Sequence, residues 1–216
     1  MTEQELIAQV LAEQQMADTR AAYTRVARWW SNTKTNSFIH EDEFRVFLKK
    51  LSPRDARVID IGCANGIHAP LFLGIGHELS YTGIDNSHEF LKIAKQRYPN
   101  LQFIHGDLTE ADSLPKRDFD AFWCAATLMH IPKAYIHLAA KNIASICRPG
   151  AIGYLTLPVK HPSGDKAVSD SRHFEIMNEQ EQREMISGFG WKIIHETTKD
   201  GFSTPDVWRG YVVRLP

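Results

Sequence analysis

The chain has few cysteines. Its 216 residues contain three, Cys63, Cys124 and Cys147, and no two of them are paired at a short spacing. An odd number without such pairing excludes a disulfide framework and a zinc knuckle. All three lie among apolar or small residues, so we expect reduced, mostly buried thiols that pack rather than react, in a cytoplasmic protein.

An excess of charge of one sign and long apolar runs are also missing. The sequence has 25 basic and 26 acidic residues, and no run of Lys or Arg indicates a nucleic-acid partner. No stretch of about 18 apolar residues predicts a membrane span, and the polar, acidic residues 1–5 are unlike a signal peptide. No histidine pairs with another ligand at the helical i, i+4 spacing of a metal site. We expect no membrane association and no metal, in a monomer or homodimer.

Nothing in the sequence divides the chain into separate domains. There is no internal repeat, low-complexity tract or linker, and 216 residues fit one α/β domain. We predict a single domain over 1–216. It comprises a helical segment over 1–52, βα units over 55–160, and a closing segment over 161–216.

The most informative segment is 58–66, with the sequence VIDIGCANG. Its β-branched apolar residues predict a strand buried on both faces, as in a parallel sheet. Asp60 lies near the carboxyl end of that strand, where open α/β sheets bind ligands. The small residues that follow allow another molecule to approach the backbone closely, which suits a nucleotide-like cofactor.

The spacing of the glycines distinguishes between cofactors. A dinucleotide fingerprint requires glycine at the sixth position counted from Gly62, but that position is Ile67 and the glycine is Gly66. A phosphate-binding P-loop would need a Lys-Ser or Lys-Thr pair, which is missing. Asp60 would also repel a phosphate at the entrance of the loop. A cationic ligand with an α-ammonium group fits better.

This segment resembles the first motif of the class I S-adenosylmethionine-dependent methyltransferases, acid-x-Gly-x-Gly-x-Gly. The match runs from Asp60 to Gly66, with Ala64 where the family usually has glycine. The added methyl group is tolerated if the backbone there has φ below zero. The resemblance implies that the cofactor is bound by Asp60, Gly62, Cys63, Ala64, Asn65 and Gly66.

The resemblance continues in order along the chain. Further strands are predicted at 80–85, 101–104, 119–124 and 151–157, and an Arg-Pro-Gly turn precedes the last of these. A helix and two more strands then form the tail usual for this family. The implied fold is α/β. It is a Rossmann-like doubly wound, seven-stranded sheet, mostly parallel with one antiparallel strand near the C-terminus, with helices on both faces and an N-terminal helical lid.

Family resemblance also implies roles for residues that follow the later strands. Asp85 ends the second strand, where the family has an acid that binds both ribose hydroxyls, and Asn86 follows it. Asp107 corresponds to the acid that reads adenine, with Leu108 packing on the ring. Ala125 begins the small-residue segment after the fourth strand.

The N-terminal segment contains three apolar helical stripes. They are Leu6, Ile7, Val10 and Leu11; Tyr23, Val26 and Trp30; and Phe44, Phe47, Leu48 and Leu51. Packing on the sheet and closure over the cofactor as a lid both remain open. Tyr23 and Trp30 are candidate substrate contacts, because aromatic faces can hold a sulfonium or stack on a flat acceptor.

Two polar side chains near the expected site are further candidates. His130 follows the fourth strand, where a neutral imidazole could deprotonate an acceptor, although a capping or core role fits equally. Arg172 could pair with an acceptor carboxylate or form a surface ion pair. The polar loop 158–165 follows the fifth strand, as a substrate loop would.

The expected function is transfer of a methyl group from S-adenosyl-L-methionine to a small-molecule acceptor. Family members that methylate amino groups carry Asn or Asp followed by Pro-Pro after the fourth strand, and residues 124–127 here are CAAT. The alternatives are a non-catalytic adenosylmethionine-binding regulator, a nicotinamide oxidoreductase on a similar sheet and, less favoured, a nucleic-acid methyltransferase.

Overall fold

The computed structural model describes residues 2–33, 41–51, 56–74, 79–116, 118–159, 171–199 and 208–216. The helices are α1 Glu3–Thr33, α2 Glu41–Lys50, α3 Ala69–Leu73, α4 His88–Arg97, α5 Lys133–Ile146 and α6 Glu179–Gly188. The strands are β1 Ala56–Ile61, β2 Leu79–Asp85, β3 Gln102–His105, β4 Phe119–Cys124, β5 Cys147–Pro158, β6 Lys192–Lys199 and β7 Trp208–Arg214.

The strands form one seven-stranded sheet in the order β3-β2-β1-β4-β5-β7-β6. β7 is antiparallel to both of its neighbours, while the other pairs are parallel. The expected fold class, including the single antiparallel strand, is therefore confirmed. The strand order reverses between β1 and β4, and such a reversal opens a ligand-binding crevice at the carboxyl ends of the strands. We call the loops at this end of β1–β5 the carboxyl edge.

Alternation along the central strands supplies a hydrophobic core on each face of the sheet. Ile59 of β1 and Phe122 of β4 join a cluster that also includes apolar residues of α5 and α6. Val58 and Trp123 point to the other face and pack with residues of α2, α3 and α4. Burial on both faces explains why these parallel strands are continuous apolar runs.

The fifth strand starts earlier than the sequence indicated. The segment expected to be an Arg-Pro-Gly turn lies inside β5, where Gly150 has φ +76°. The register between β4 and β5 shifts in the same region, between Phe119 and Ala121. The left-handed Gly150 therefore lies at an irregularity within the first part of β5, and not in a turn that precedes the strand.

Two of the predicted N-terminal stripes belong to one long helix, α1. Residues of the first stripe, such as Ile7 and Leu11, are between 47% and 60% exposed, so the alternative in which this stripe packs on the sheet is excluded. The face of α1 that is buried carries only small side chains. They are Ala12, Thr19, Ala22, Ala27 and Ser31. The third stripe does pack, since Phe44 and Phe47 are buried against Trp123.

Candidate functional site

The loop after β1 has a left-handed backbone at three positions. Gly62, Ala64 and Gly66 have φ values of +70°, +47° and +76°. The condition under which the added methyl group of Ala64 would be tolerated, a φ below zero, is therefore not met. The reason is that the loop curls over the end of β2. The amides of Gly62 and Cys63 donate to the Ile84 carbonyl at 2.8 and 3.0 Å.

Buried polar groups next to this loop have unfilled hydrogen-bonding capacity. Asp60 is buried, and its Oδ2 accepts from the Tyr81 hydroxyl at 2.8 Å. Within the described part of the chain, Asp60 Oδ1 and both polar atoms of the buried Asn65 side chain have no hydrogen-bond partner. Such atoms are costly unless a ligand or water satisfies them. An anionic acceptor atom beside an amide fits a ligand with an ammonium group.

Asp85 connects the first loop to the second. Its Oδ2 accepts from the Ala64 amide at 2.9 Å, and its Oδ1 accepts from the Ser87 amide at 2.8 Å. Burial raises the pKa of Asp85 to about 6, against the opposing effect of these two hydrogen bonds. A part of the residue remains accessible to solvent, so a ligand hydroxyl can reach it.

Asp107 is fully engaged by protein groups. Its Oδ1 accepts from the Thr109 amide and hydroxyl at 2.9 and 2.7 Å. Its Oδ2 accepts from Asn86 Nδ2 at 3.1 Å and from Arg20 Nη2 at 2.8 Å. Burial alone would raise the pKa of Asp107, but the bonds from Thr109 and Asn86 and the charge of Arg20 hold it below its usual range. A carboxylate accepts about four hydrogen bonds, so Asp107 has reached its capacity.

Polar contacts fix α1 across the carboxyl edge. One of these contacts is the bond from Arg20 to Asp107. In addition, the Thr19 hydroxyl accepts from the His173 amide at 2.8 Å, and the Tyr23 hydroxyl lies 2.7 Å from His130 Nε2. Arg172 Nη1 donates to the Tyr23 oxygen at 3.3 Å. The structure thus brings together three of the predicted substrate-side residues, Tyr23, His130 and Arg172.

The described contacts of Trp30 and Leu108 are to other groups. The Trp30 ring packs edge-to-face on Phe90 of α4, with ring centroids 5.3 Å apart. Leu108 belongs to the hydrophobic core, and its carbonyl accepts from Asn142 Nδ2 at 2.8 Å. Neither contact tests the expected role of the residue toward a ligand.

Comparison with known proteins agrees with this geometry. Residues 58–150 match a family model described as "Methyltransferase domain". The matched segment begins in β1 and contains the loop, Asp85 and Asp107. Over these 93 of its 216 residues the chain is similar to the methyltransferase family.

Individual proteins similar to this chain are distant from it in sequence. An "O-methyltransferase" of Pyrenophora dematioidea is 24% identical over 83% of this chain and 72% of its own length. A "Ubiquinone biosynthesis O-methyltransferase" of Thiobacillus denitrificans is 29% identical over 57% of this chain. The chain covers 54% of that relative, so it spans about half the length of some curated relatives that it matches.

A solved structure shares the fold of this chain over nearly its whole length. It is the Burkholderia thailandensis 1,6-didemethyltoxoflavin-N1-methyltransferase, solved with bound 1,6-didemethyltoxoflavin and S-adenosylhomocysteine. The TM-score is 0.74 at 15% identity, covering 92% of this chain and 88% of that one.

Sequence reasoning missed a second constrained loop, the one after β4. Ala126 has φ +54°, and its amide donates to the Thr156 hydroxyl at 2.8 Å. Thr127 Oγ1 lies 3.0 Å from the Ile61 carbonyl and 3.2 Å from that of Ala125, donating between them. Thr127 therefore ties the β4 loop to the β1 loop. Alanine gives no sequence signal for a left-handed backbone, so this feature was not predictable.

The three cysteines are reduced and buried, as expected. Burial raises the pKa of Cys124 to about 12 and that of Cys63 well above its usual range. A thiol of such high pKa is a poor nucleophile, which supports a packing role. No group of three or more metal-ligating side chains occurs among the described residues. The helices that the structure describes are all too short or too polar to cross a bilayer.

The loop expected to contact substrate, 158–165, is only partly described. Residues 160–170 lie outside the described part of the chain. The segment 171–178 is described and runs beside the turn at Leu128–His130, where the Glu175 amide donates to the Met129 carbonyl at 2.7 Å.

Proposed function

We propose that this methyltransferase transfers a methyl group from S-adenosylmethionine to the oxygen of a small-molecule acceptor. The observation that carries the proposal is the cluster of the left-handed β1 loop, Asp60 with its unfilled Oδ1, and Asp85 at the end of the neighbouring strand. These groups lie at the carboxyl edge within the segment that matches the family.

Different residues at the carboxyl edge would bind different parts of S-adenosylmethionine. Asp60 and Asn65 would hold the ammonium end, since both have unfilled capacity beside the loop. The backbone from Gly62 to Gly66, with Cys63 and Ala64 between, would pass close to the sulfur side. Asp85 and Asn86 would bind the ribose. Asp107, Leu108 and Ala125 would surround the adenine.

Donor chemistry explains why few residues need to react. The bound sulfonium supplies an activated methyl group and a neutral leaving group. The chain contributes alignment and exclusion of water, which in the best intramolecular cases are worth ~7–11 kcal/mol. Helix α1 supplies both by lying across the carboxyl edge. A proton must also leave a hydroxyl acceptor, and His130 lies at this edge among the groups that can receive it.

Several observations favour a small acceptor over a nucleic acid. Basic and acidic residues are nearly equal in number, 25 and 26, and the sequence after β4 lacks the amino-methylating signature. Two of the similar proteins described above are named for ubiquinone biosynthesis and for didemethyltoxoflavin, both small molecules. Two of the similar proteins are named O-methyltransferases, which favours an oxygen acceptor.

Calorimetric titration with S-adenosylmethionine and S-adenosylhomocysteine tests the donor site. Replacing Asp85→Ala removes a charged hydrogen-bond acceptor, so both ligands should bind more weakly by ~1.5–3 kcal/mol. Asp118→Ala is the matched control. Asp118 pairs with Arg57 and Arg148 at the opposite edge of the sheet, and its loss should leave both affinities unchanged. Equal affinities of wild type and Asp85→Ala would refute the site.

Turnover tests the activity itself. Formation of S-adenosylhomocysteine is measured over a panel of small hydroxylated acceptors and, separately, with total RNA. Methyl incorporation into RNA alone would overturn the small-molecule proposal. Donor binding without turnover of any acceptor would favour the regulatory alternative.

A further inference from the structure

Both ring nitrogens of His130 already have partners. Nδ1 lies 2.8 Å from the carbonyl oxygen of His173, and Nε2 lies 2.7 Å from the hydroxyl of Tyr23. Aromatic rings cover the sides of the imidazole. Tyr23 and Phe174 pack against it with centroids 5.2 and 4.8 Å away. An acceptor therefore cannot contact His130 as a base without displacing one of these partners.

The partners of His130 determine its tautomer. A carbonyl oxygen only accepts, so Nδ1 must carry the proton and donate to His173. In the neutral ring Nε2 is then a lone-pair acceptor, and the Tyr23 hydroxyl must donate to it. The Tyr23 proton is consequently directed at a base.

Negative charge that develops on the Tyr23 oxygen, as its proton moves toward His130, is in turn stabilised by a neighbouring cation. Arg172 donates to it from 3.3 Å, and the Arg172 guanidinium carbon lies 5.2 Å from the centroids of both the Tyr23 and the Phe174 ring. A fixed cation favours negative charge on the phenol oxygen. At 3.3 Å the bond from Arg172 is long, so an acceptor hydroxyl can share or replace it.

We propose that Tyr23, rather than His130, is the base that contacts the acceptor, and that the acceptor is a phenolic hydroxyl on a flat ring. Arg172, Phe174 and Tyr23 itself provide the aromatic and cationic wall against which such a ring packs. His130 is a positioning residue that receives the Tyr23 proton. The proposal rests on the proposed function, because it concerns the acceptor side of the same site.

The proton transfer and the methyl transfer balance as follows. The acceptor O–H proton moves to the Tyr23 oxygen as the Tyr23 proton moves to His130 Nε2, which leaves an imidazolium. The acceptor oxygen forms a bond to the methyl carbon, and the carbon–sulfur bond breaks with its electron pair going to sulfur. The products are the methyl ether, neutral S-adenosylhomocysteine and one proton on His130, which is later lost to water.

The tautomer of His130 is measured by nitrogen-15 NMR of the histidine side chains in full-length protein with S-adenosylhomocysteine. We expect a protonated Nδ1 and an acceptor Nε2, and a changed His130 titration in Tyr23→Phe. Among the described residues, the charged or titratable groups around this ring are Tyr23 of α1 with Arg172 and the His173–Glu175 pair, whose side chains are 3.4 Å apart. A protonated Nε2, or no change in Tyr23→Phe, would overturn the proposal.

Steady-state kinetics with phenol, catechol and 4-nitrophenol test the base. Tyr23→Phe keeps the ring packing but should lower kcat for phenol and catechol ~100-fold or more, the usual contribution of a general base. Its KM should change little. For 4-nitrophenol, assayed at a pH where it is already ionised, the loss should be below ~5-fold, since no proton has to be removed.

Two further variants complete the kinetic test. His130→Gln can accept the Tyr23 hydrogen bond but not its proton, so it should show the same dependence on acceptor ionisation. Tyr135→Phe is the control. Tyr135 donates to Glu13 of α1 at 2.8 Å, and losing that hydroxyl should affect all acceptors equally. Equal losses with ionised and neutral phenols in Tyr23→Phe would refute the base.

Failure of this proposal can be distinguished from failure of the proposed function. Wild-type protein that binds S-adenosylhomocysteine but methylates none of the three phenols would refute the phenolic acceptor alone. Protein that does not bind S-adenosylhomocysteine would refute the proposed function.

Discussion

The strongest stability prediction concerns Gly62, the first glycine of the β1 loop. Its φ of +70° lies in the left-handed region, and a Cβ built there would be 2.2 Å from Thr127 Oγ1 and 2.7 Å from Thr127 Cγ2. Gly62→Ala therefore has two costs. One is the backbone conformation, and the other is displacement of Thr127, which holds the β1 and β4 loops together.

The magnitude follows from those two costs. A left-handed alanine is disfavoured by ~1–2 kcal/mol. Rotation of Thr127 removes its hydrogen bond to the Ile61 carbonyl, worth ~1 kcal/mol, and leaves that acceptor without its hydroxyl donor at a further ~1 kcal/mol. We expect Gly62→Ala to lower the free energy of unfolding by ~3–4 kcal/mol.

Gly150→Ala provides the matched control. Gly150 has φ +76°, but a Cβ there would meet nothing within 4 Å. It isolates the conformational cost, and we expect a loss of ~1–2 kcal/mol. Urea unfolding of both variants, followed by circular dichroism, gives the comparison. If Gly62→Ala is no more destabilising than Gly150→Ala, the argument from Thr127 is incorrect.

A double variant separates the contact from the backbone term. Thr127→Ala removes the two closest atoms, leaving Cβ 3.0 Å from the added methyl group. Gly62→Ala with Thr127→Ala should be less destabilised than the sum of the single variants, because the two residues are in contact. Strict additivity would show that the loops adjust without involving Thr127.

Three further predictions concern the donor site. Because the pKa of Asp85 is raised to about 6, donor affinity should fall as the pH drops below that value and the carboxyl takes up a proton, and Asp85→Asn should lose this pH dependence in calorimetry. Ala64→Gly relieves a left-handed alanine but increases the freedom of the unfolded chain, so urea unfolding should show a gain of ~0.5 kcal/mol, and a loss would contradict the φ of +47°. Arg20→Gln removes one of the bonds to Asp107, so S-adenosylhomocysteine should bind ~3–10-fold more tightly; weaker binding would show that Arg20 itself holds the ligand.

The central sheet was predictable because its signals are local. The fourth strand was predicted at the residues where β4 lies, and the first, second and third were within two residues at each end. Runs of buried β-branched residues ending in an acid and a small-residue loop occur within about ten residues of sequence. Parallel strands that are buried on both faces can therefore be recognised from these local runs.

The contacts that complete the site were not predictable from such patterns. Arg20 pairs with Asp107 across 87 residues, and Tyr23 meets His130 across 107. Each of these side chains alone also fits a surface or core role. Only the path of α1 over the carboxyl edge brings them together, and the first apolar stripe of α1 does not indicate that path, because it is exposed.

The way α1 is attached has a consequence for entry to the cleft. Its buried side chains are alanine, serine and threonine, which remove little apolar area from water. Polar contacts also hold it, from Tyr135, which donates to Glu13, to Arg97, which donates to the Ser31 carbonyl at 2.7 Å. The partly buried rings of Tyr23 and Trp30 add packing on Phe90 of α4. Lifting this helix therefore costs much less than melting the sheet beneath it. Ligand exchange and resistance to denaturation can consequently be tuned by separate sets of substitutions.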